Sequence, residues 1–267
     1  MVDRDRERAP QAEGEGPLTS PGAGETAVAG ATTAAGALMP VTVVIPALDE
    51  ERPLPAVLAA IPRERVGEIV VVDNGSTDRT AEVAQAAGAT VLREPRRGYG
   101  AACLRGLDHL RAQPPAIVAF LDADGSSDPT ELPRLLEPIE QGRADLVIGS
   151  RVTGVPEAGS LTAVQRWGNL LAVSLMLALY GARFTDLGPF RAIRWEALES
   201  LGMRDQDYGW TVEMQARAAR AGLCSIEVPV RCRRRAAGRS KVSGTLRGVV
   251  GAGTKILLTI AKVRLGG

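Results

Sequence analysis

"IVAFLDADGSSDP", residues 117–129, runs an apolar stretch straight into three carboxylates, Asp122, Asp124 and Asp128. An uninterrupted apolar run of this length reads as a strand buried on both faces. "VTVVIP" (41–46), "EIVVVDNGSTD" (68–78) and "DLVIGSR" (145–151) repeat the pattern. Helix-like segments lie between and after them, at 50–60, 77–87, 99–112 and 130–141. Strands alternating with helices predict an α/β fold with a parallel sheet. Ligands in such sheets bind beyond the carboxyl ends of the strands. The polar clusters fall there: Asp49 with Glu50, Asp73 with Asn74, Asp122 with Asp124, and Ser150 with Arg151.

Carboxylates this close repel one another unless a cation lies between them. Asp122 ends the apolar run and Asp124 sits on the turn after it, so with Ala123 between them both can point to one side. Hard oxygen ligands suit Mg2+ or Mn2+, which keep waters and hold substrate phosphates. Such an ion would neutralise charge on a diphosphate leaving group. Asp128 before Pro129 reads instead as a helix N-cap with proline at the first position. Two rival readings are weaker. "FLDADGSS" is also similar to the nucleophile motif of haloacid dehalogenase-type phosphatases, but the later acidic pair which that chemistry needs is missing. "GYGAAC" (98–103) opens like a dinucleotide-binding turn, yet Cys103 stands where a third glycine belongs and "REPRR" before it is not a convincing strand.

Beyond residue 151 the rhythm changes. "VQRWGNLLAVSLMLALYG" (164–181) reads as an apolar helix stopped by Gly181, and "DLGPFRAIRWEAL" (186–198) as a turn, a short strand and a helix start. "WTVEMQARAARAG" (210–222) is a helix ending at Gly222, "CSIEVPVRCRRR" (224–235) alternates like a strand, and 245–265 is an apolar helix bearing bases. Residues 1–39 hold six acids and three bases with no period, which predicts a disordered tail. They also lack the apolar segment of a secretory signal. Residues 228–267 hold ten Lys/Arg and no acid, whereas the whole chain carries a net charge of only +1. Three cysteines without metal-ligand spacing fit a reducing, cytoplasmic setting, and the single histidine, His109, excludes a His-rich metal site.

Taken in order, "VVIPALDEE", "VVVDNGSTDRT", "RRGYGAA", "FLDADGSSDP" and "GSR" resemble family 2 glycosyltransferases of the GT-A fold, with the dolichyl- or polyprenyl-phosphate sugar synthase branch as the nearest likeness. The resemblance spans about residues 41–245. It implies a Rossmann-like, mostly parallel sheet flanked by helices, with a C-terminal acceptor-side extension. By the same resemblance Pro46, Ala47, Asp49 and Glu50 form the first nucleotide-contacting loop, although the family usually has Asn where this chain has Asp49. Asp73 matches the acid that hydrogen-bonds the nucleobase, and Arg97 and Gly98 the loop that approaches base and diphosphate. Asp122 and Asp124 match the metal-binding DxD, while Ser126 stands where that branch often has Gln. Arg151 lies where sugar or phosphate contacts occur. The implied activity is inverting transfer of a sugar from a UDP- or GDP-sugar, with Mg2+ or Mn2+, to a polyprenyl-phosphate lipid. The alternatives are an alcohol acceptor or a nucleotide-sugar-binding subunit without turnover. Nothing suggests nucleic acid.

A phosphate acceptor is already an anion and needs cations to hold it. The candidates are Arg166, Arg191, Arg239 and Lys241, with Ser240 in the "GRSK" segment (238–241) that resembles that branch. An alcohol acceptor needs a base, and Glu213 lies about where other members place theirs; it reads equally as an ordinary helix-face acid. The 164–181 helix is either core or the lining of a lipid groove. The basic C-terminal helix has an interfacial pattern, which would place the protein peripherally at the inner face of an anionic membrane. The expected organisation is a tail (1–39), a nucleotide-sugar half (40–151), an acceptor half of the same domain (152–242) and a terminal helix (243–267).

Overall fold

The computed structural model describes residues 39–235 and 246–266. One seven-stranded sheet runs through it. Its strands are β1 (Val41–Ala47), β2 (Glu68–Asp73), β3 (Thr90–Arg93), β4 (Ile117–Phe120), β5 (Leu146–Ser150), β6 (Arg191–Arg194) and β7 (Ser225–Pro229), in the order β3-β2-β1-β4-β6-β5-β7. All neighbours pair in parallel except β6, which runs antiparallel to both β4 and β5. The sheet is therefore mixed, and the expectation of a mostly parallel one holds. β3 was not foreseen. It is a short edge strand with no fully buried residue, so it lacks the apolar run that marks its neighbours.

The runs of Val and Ile form strands because both of their faces are covered. Val43 and Ile45 of β1 face one core, built with helices α1 (Leu54–Ala60), α2 (Thr80–Ala86) and α4 (Leu132–Glu140). Val44, between them, faces the other core, formed with α3 (Tyr99–Leu110), α6 (Trp195–Leu201) and α7 (Trp210–Ala221). The Phe120 and Trp210 rings meet edge to face there, 5.8 Å apart.

A third, smaller cluster joins α7 to α5 (Ala163–Tyr180) and α8 (Leu246–Arg264) through Met176, Val212, Ala216, Ile260 and Val263. Thr162 and Gln165 form a reciprocal capping box at the start of α5, and Gly181 ends it in the left-handed conformation. Although strongly apolar, α5 buries only Ala172 and Met176 fully, so it is not a core helix. None of the described helices is long and apolar enough to cross a membrane.

The connections from β1 and from β4 run in opposite directions along the strand order, toward β2 from β1 and toward β5 from β4, although α1 and α4 cover the same face. That switch opens a crevice beyond their carboxyl ends.

Candidate active site

A cleft of about 420 Å³ occupies this crevice. Pro46, Ala47, Leu48 and Glu50 line it from the end of β1, and Asn74 from the end of β2. Arg97, Gly98 and Tyr99 come from the start of α3, and Asp122 and Asp124 from the turn after β4. Asp207, Tyr208 and Arg235 close it from the second half of the chain.

The walls are built by backbone-directed side chains. Asn74 donates to the carbonyls of Glu94 and Arg96 and accepts from the Gly98 amide (2.8 Å), which fixes the 94–98 loop over the cleft. Asp49 adopts φ 50, the only positive φ outside glycine among the described residues. Asn and Asp tolerate that conformation best, which accounts for an acid at this turn. Its carboxylate accepts from the Thr77 amide and hydroxyl, so Asp49 braces the β1 loop against the β2 loop and does not line the cleft. Asp73 likewise lies outside the lining; its Oδ1 accepts from the Ser76 amide (2.8 Å), and Asn74 takes the place in the wall.

Asp122 and Asp124 lie together at the base. Asp124 Oδ1 accepts from the Ser126 amide (2.9 Å), and its Oδ2 lies 2.8 Å from Arg235 Nη2. The other arm of Arg235 reaches Glu50 Oε1 at 2.7 Å. Asp122 is different: its Oδ1 is buried without a hydrogen-bond partner. The Tyr99 hydroxyl is close enough to favour its ionisation, but makes no hydrogen bond of normal geometry. Burial first, and then the charge of Asp124, push the Asp122 carboxyl up to about 7. An orphaned carboxylate oxygen beside a second carboxylate fits a divalent cation. Among the described residues no group of three or more His, Cys, Asp or Glu is assembled, so a cation here would have only this pair from the chain.

A pH dependence follows. Protonated Asp122 cannot bind metal. Mn2+ affinity, followed by electron paramagnetic resonance of free Mn2+, should be flat above about pH 7 and fall by about tenfold per unit below it. Because the folded-state value exceeds the ordinary 3.8, the folded chain holds this proton more tightly. Asp122 therefore favours the fold most at low pH, and that contribution is lost as pH rises towards 7.

Asp128 behaves as a cap, accepting from the Thr130 amide and hydroxyl. Its second oxygen is paired with Arg233. After β7 the side chains of Arg231 and Arg233 both approach Asp128. The Arg231 amide meets Glu131, and Arg235 reaches Asp124 and Glu50. Arg234 donates to the Ala158 carbonyl. Asn74 lies at a strand end that the sequence marks as polar, whereas Leu48, Tyr99, Asp207, Tyr208 and Arg235 are cleft residues that the motifs alone did not single out.

Several expected site residues are placed elsewhere. Glu213 is buried on α7, accepts from the amides of Arg204 and Asp205 and from Arg217 Nε (2.8 Å), and so holds a loop rather than lining the cleft. Arg191 is 0% exposed, and its guanidinium donates to the carbonyls of Leu187, Gly188 and Thr211, which removes it from acceptor binding. Burial lowers its pKa to about 10. Arg151 makes a two-armed pair with buried Asp186 and does not line the cleft, although its charge still lowers the Asp122 pKa. Arg166 lines a separate apolar groove with Leu161, Trp167 and Leu170. Arg239, Ser240 and Lys241, like the 1–38 tail, lie outside the described residues.

The glycines of "GYG" serve packing against a loop. A Cβ at Gly98 would stand 2.1 Å from the Gln206 carbonyl oxygen, and one at Gly100 2.0 Å from that of Asp205. The motif admits this loop to the cleft and forms no dinucleotide turn.

Residues 42–202 match the family described as Glycosyl transferase family 2. The chain is 46% identical, over 79% of its length and 93% of the relative's, to an uncharacterized glycosyltransferase of Mycobacterium tuberculosis. It is 35% identical to the undecaprenyl-phosphate mannosyltransferase of Micrococcus luteus, covering 80% of this chain and 90% of that one. The fold is similar to the crystal structure of glucosyl-3-phosphoglycerate synthase from Mycobacterium tuberculosis in complex with Mn2+, UDP and glucosyl-3-phosphoglycerate. That match has a TM-score of 0.68 at 27% identity and covers 85% of this chain and 80% of that one.

Proposed function

The chain belongs to glycosyl transferase family 2, in the polyprenyl-phosphate sugar synthase branch, and is a glycosyltransferase of GT-A fold; from that premise we propose that it moves a sugar from a nucleotide-diphosphate sugar to a polyprenyl phosphate, with inversion and with Mg2+ or Mn2+. The observation that carries this reading is the Asp122–Asp124 pair, with its unpartnered oxygen, at the base of the switch-point cleft. Asp122 and Asp124 would hold the metal, which when bound supplies positive charge against the diphosphate. The likeness to a glycosyltransferase solved with Mn2+ and UDP supports that use.

The chain's own residues supply the rest. Leu48, Asn74 and Arg97 frame the nucleotide end, and Tyr99 walls off the base of the cleft from the core. Arg235 places a guanidinium between Glu50 and Asp124, where it would face the phosphate oxygens of the donor diphosphate or of the acceptor. An acceptor phosphate attacks as an anion and needs no general base. The engagement of Glu213 in loop contacts suits that acceptor better than an alcohol. In this reading residues 40–151 handle the donor and 152–242 the acceptor. A panel of UDP- and GDP-sugars with Mn2+, with and without polyprenyl phosphate, tests it. Sugar release that does not respond to the lipid phosphate would overturn the acceptor, and no release from any donor would leave a binding subunit.

The lipid acceptor leads to an expectation about membranes. Trp167 is 72% exposed, and Val164, Leu170 and Leu171 on α5 and Leu257 and Leu258 on α8 are also open. Exposed Trp beside arginine is an interfacial combination. The protein should float with anionic liposomes at low salt and release at high salt, since each surface base adds about 1 kcal/mol of screenable attraction. Trp167→Ser should weaken flotation. A protein that remains in the soluble fraction at low salt would remove the membrane from the proposal. Deleting α8 is a poor test, because Ile260 and Val263 are core residues.

A further inference from the structure

The loop between α6 and α7 carries Asp207 and Tyr208 into the cleft. It is fastened from three directions. From the cleft side, the first amides of α3 donate into it: Gly100 to the Asp207 carbonyl (3.2 Å) and Ala101 to the Gln206 carbonyl (2.9 Å). From below, Glu213 receives the amides of Arg204 and Asp205. The third fastening is Asp205, whose side chain is 7% exposed. Its Oδ1 accepts from the amides of Asp207 (2.8 Å) and Gly209 (3.1 Å), which shapes the turn. Its Oδ2 faces away from the turn, 3.2 Å from Lys255 Nζ and 3.2 Å from Thr259 Oγ1, both on α8.

One carboxylate thus ties the cleft loop to the last helix of the chain. The seam is tight by construction. A Cβ at Gly209 would stand 2.4 Å from both Asp205 Oδ2 and Thr259 Oγ1. The helix is itself anchored: Tyr180 of α5 donates to the Ile260 carbonyl (2.6 Å), and Arg220 of α7 to that of Val263 (2.6 Å). A charged, hydrogen-bonded carboxylate that joins two elements transmits their relative position, because leaving it half-paired in a buried setting is costly.

We propose that α8 is the latch of the donor cleft, with Lys255 and Thr259 as positioning residues that act through Asp205 to hold Asp207 and Tyr208 in the wall. The inference rests on the donor-cleft reading for its consequence, though not for the latch itself. Anything that shifts α8 would then change nucleotide affinity without touching the nucleotide.

Two measurements on the full-length protein test this. Thr259→Val removes the hydroxyl at constant shape, and Lys255→Met removes the charge while keeping the stem. In the double variant, hydrogen–deuterium exchange of peptides covering 98–103 and 204–209 should quicken by about tenfold, while β1 and β4 stay protected. The Kd for UDP or GDP in Mn2+, whichever the wild type binds, should rise about tenfold if the competent loop population falls to a tenth. Thr259→Ser and Lys255→Arg should restore most of both, which a mere loss of helix packing would not predict. Gly209→Ala enters the same seam from the loop side and should copy the double variant. Unchanged exchange overturns the latch, and faster exchange with unchanged Kd overturns its role in the cleft. Failure of the wild type to bind either nucleotide would overturn the donor-cleft reading, and the exchange result alone would then decide for or against the latch.

Discussion

Asp124→Ala should reduce sugar transfer by at least about a thousandfold, on the order of 4 kcal/mol of transition-state stabilisation, with little change in melting temperature. Asp124 supplies one of the two carboxylates at the base of the cleft, and among the described residues no third acid, histidine or cysteine is gathered to replace it. Its structural duties are small: it accepts the Ser126 amide, on a turn, and pairs with Arg235, which keeps Glu50. Removing it also relieves Asp122 of the charge that, after burial, most raises its pKa. The acid limb of the metal-binding profile should therefore move to lower pH in the variant even as affinity falls. That shift distinguishes loss of a ligand from general damage to the cleft. Steady-state rates with Mn2+, repeated in EDTA, decide the matter. A variant that turns over normally, or a wild type indifferent to EDTA, would sink the metal reading.

How much of this was legible in the sequence depended on whether a residue's partner was local. The strands β1, β2, β4 and β5 were readable because burial on both faces demands an unbroken apolar run, and Asp122 and Asp124 because the same run delivers them to the sheet's edge. Asp128 was readable as a cap because its partner is Thr130, two residues on. Glu213, Arg191 and Arg151 misled because their partners are remote in sequence or are backbone atoms: the Arg204 and Asp205 amides, the Thr211 carbonyl, and Asp186. Charge alone cannot tell a group that waits for substrate from one already satisfied by the fold. β3 escaped because an edge strand needs no continuous apolar face. β6 was readable as a short strand but its antiparallel direction was not, because strand direction is set by how α5 and the 181–190 segment return the chain to the sheet, not by the residues of the strand.

The pair formed by Arg151 and Asp186 is the place where the second half of the chain is most exposed to a single change. Asp186 is 1% exposed, and its two oxygens take three donors from one residue: Nη2 at 2.7 Å, Nε at 2.8 Å and the Arg151 amide at 2.8 Å. Its own amide donates to Glu227 on β7, and its carbonyl accepts from Gln215 on α7. One residue therefore links the end of β5 to β7 and to α7. Asp186→Ala leaves a guanidinium and an amide without acceptors in a buried setting, at a cost of roughly 3–5 kcal/mol. For a chain of this size that lowers the melting temperature by roughly 6–20 °C, read by calorimetry or circular dichroism. Arg151→Leu combined with Asp186→Leu should recover much of the loss, since two apolar side chains of similar volume leave no charge unpaired, and the coupling between the two changes measures the pair itself. Activity should separate from stability in that double variant. With the Arg151 charge gone, Asp122 loses a cation that lowers its pKa, so the metal-binding profile should shift to higher pH in a protein that is folded. A double variant as unstable as Asp186→Ala alone would mean that the carboxylate matters for its links to the backbone, and that Arg151 is incidental to the fold.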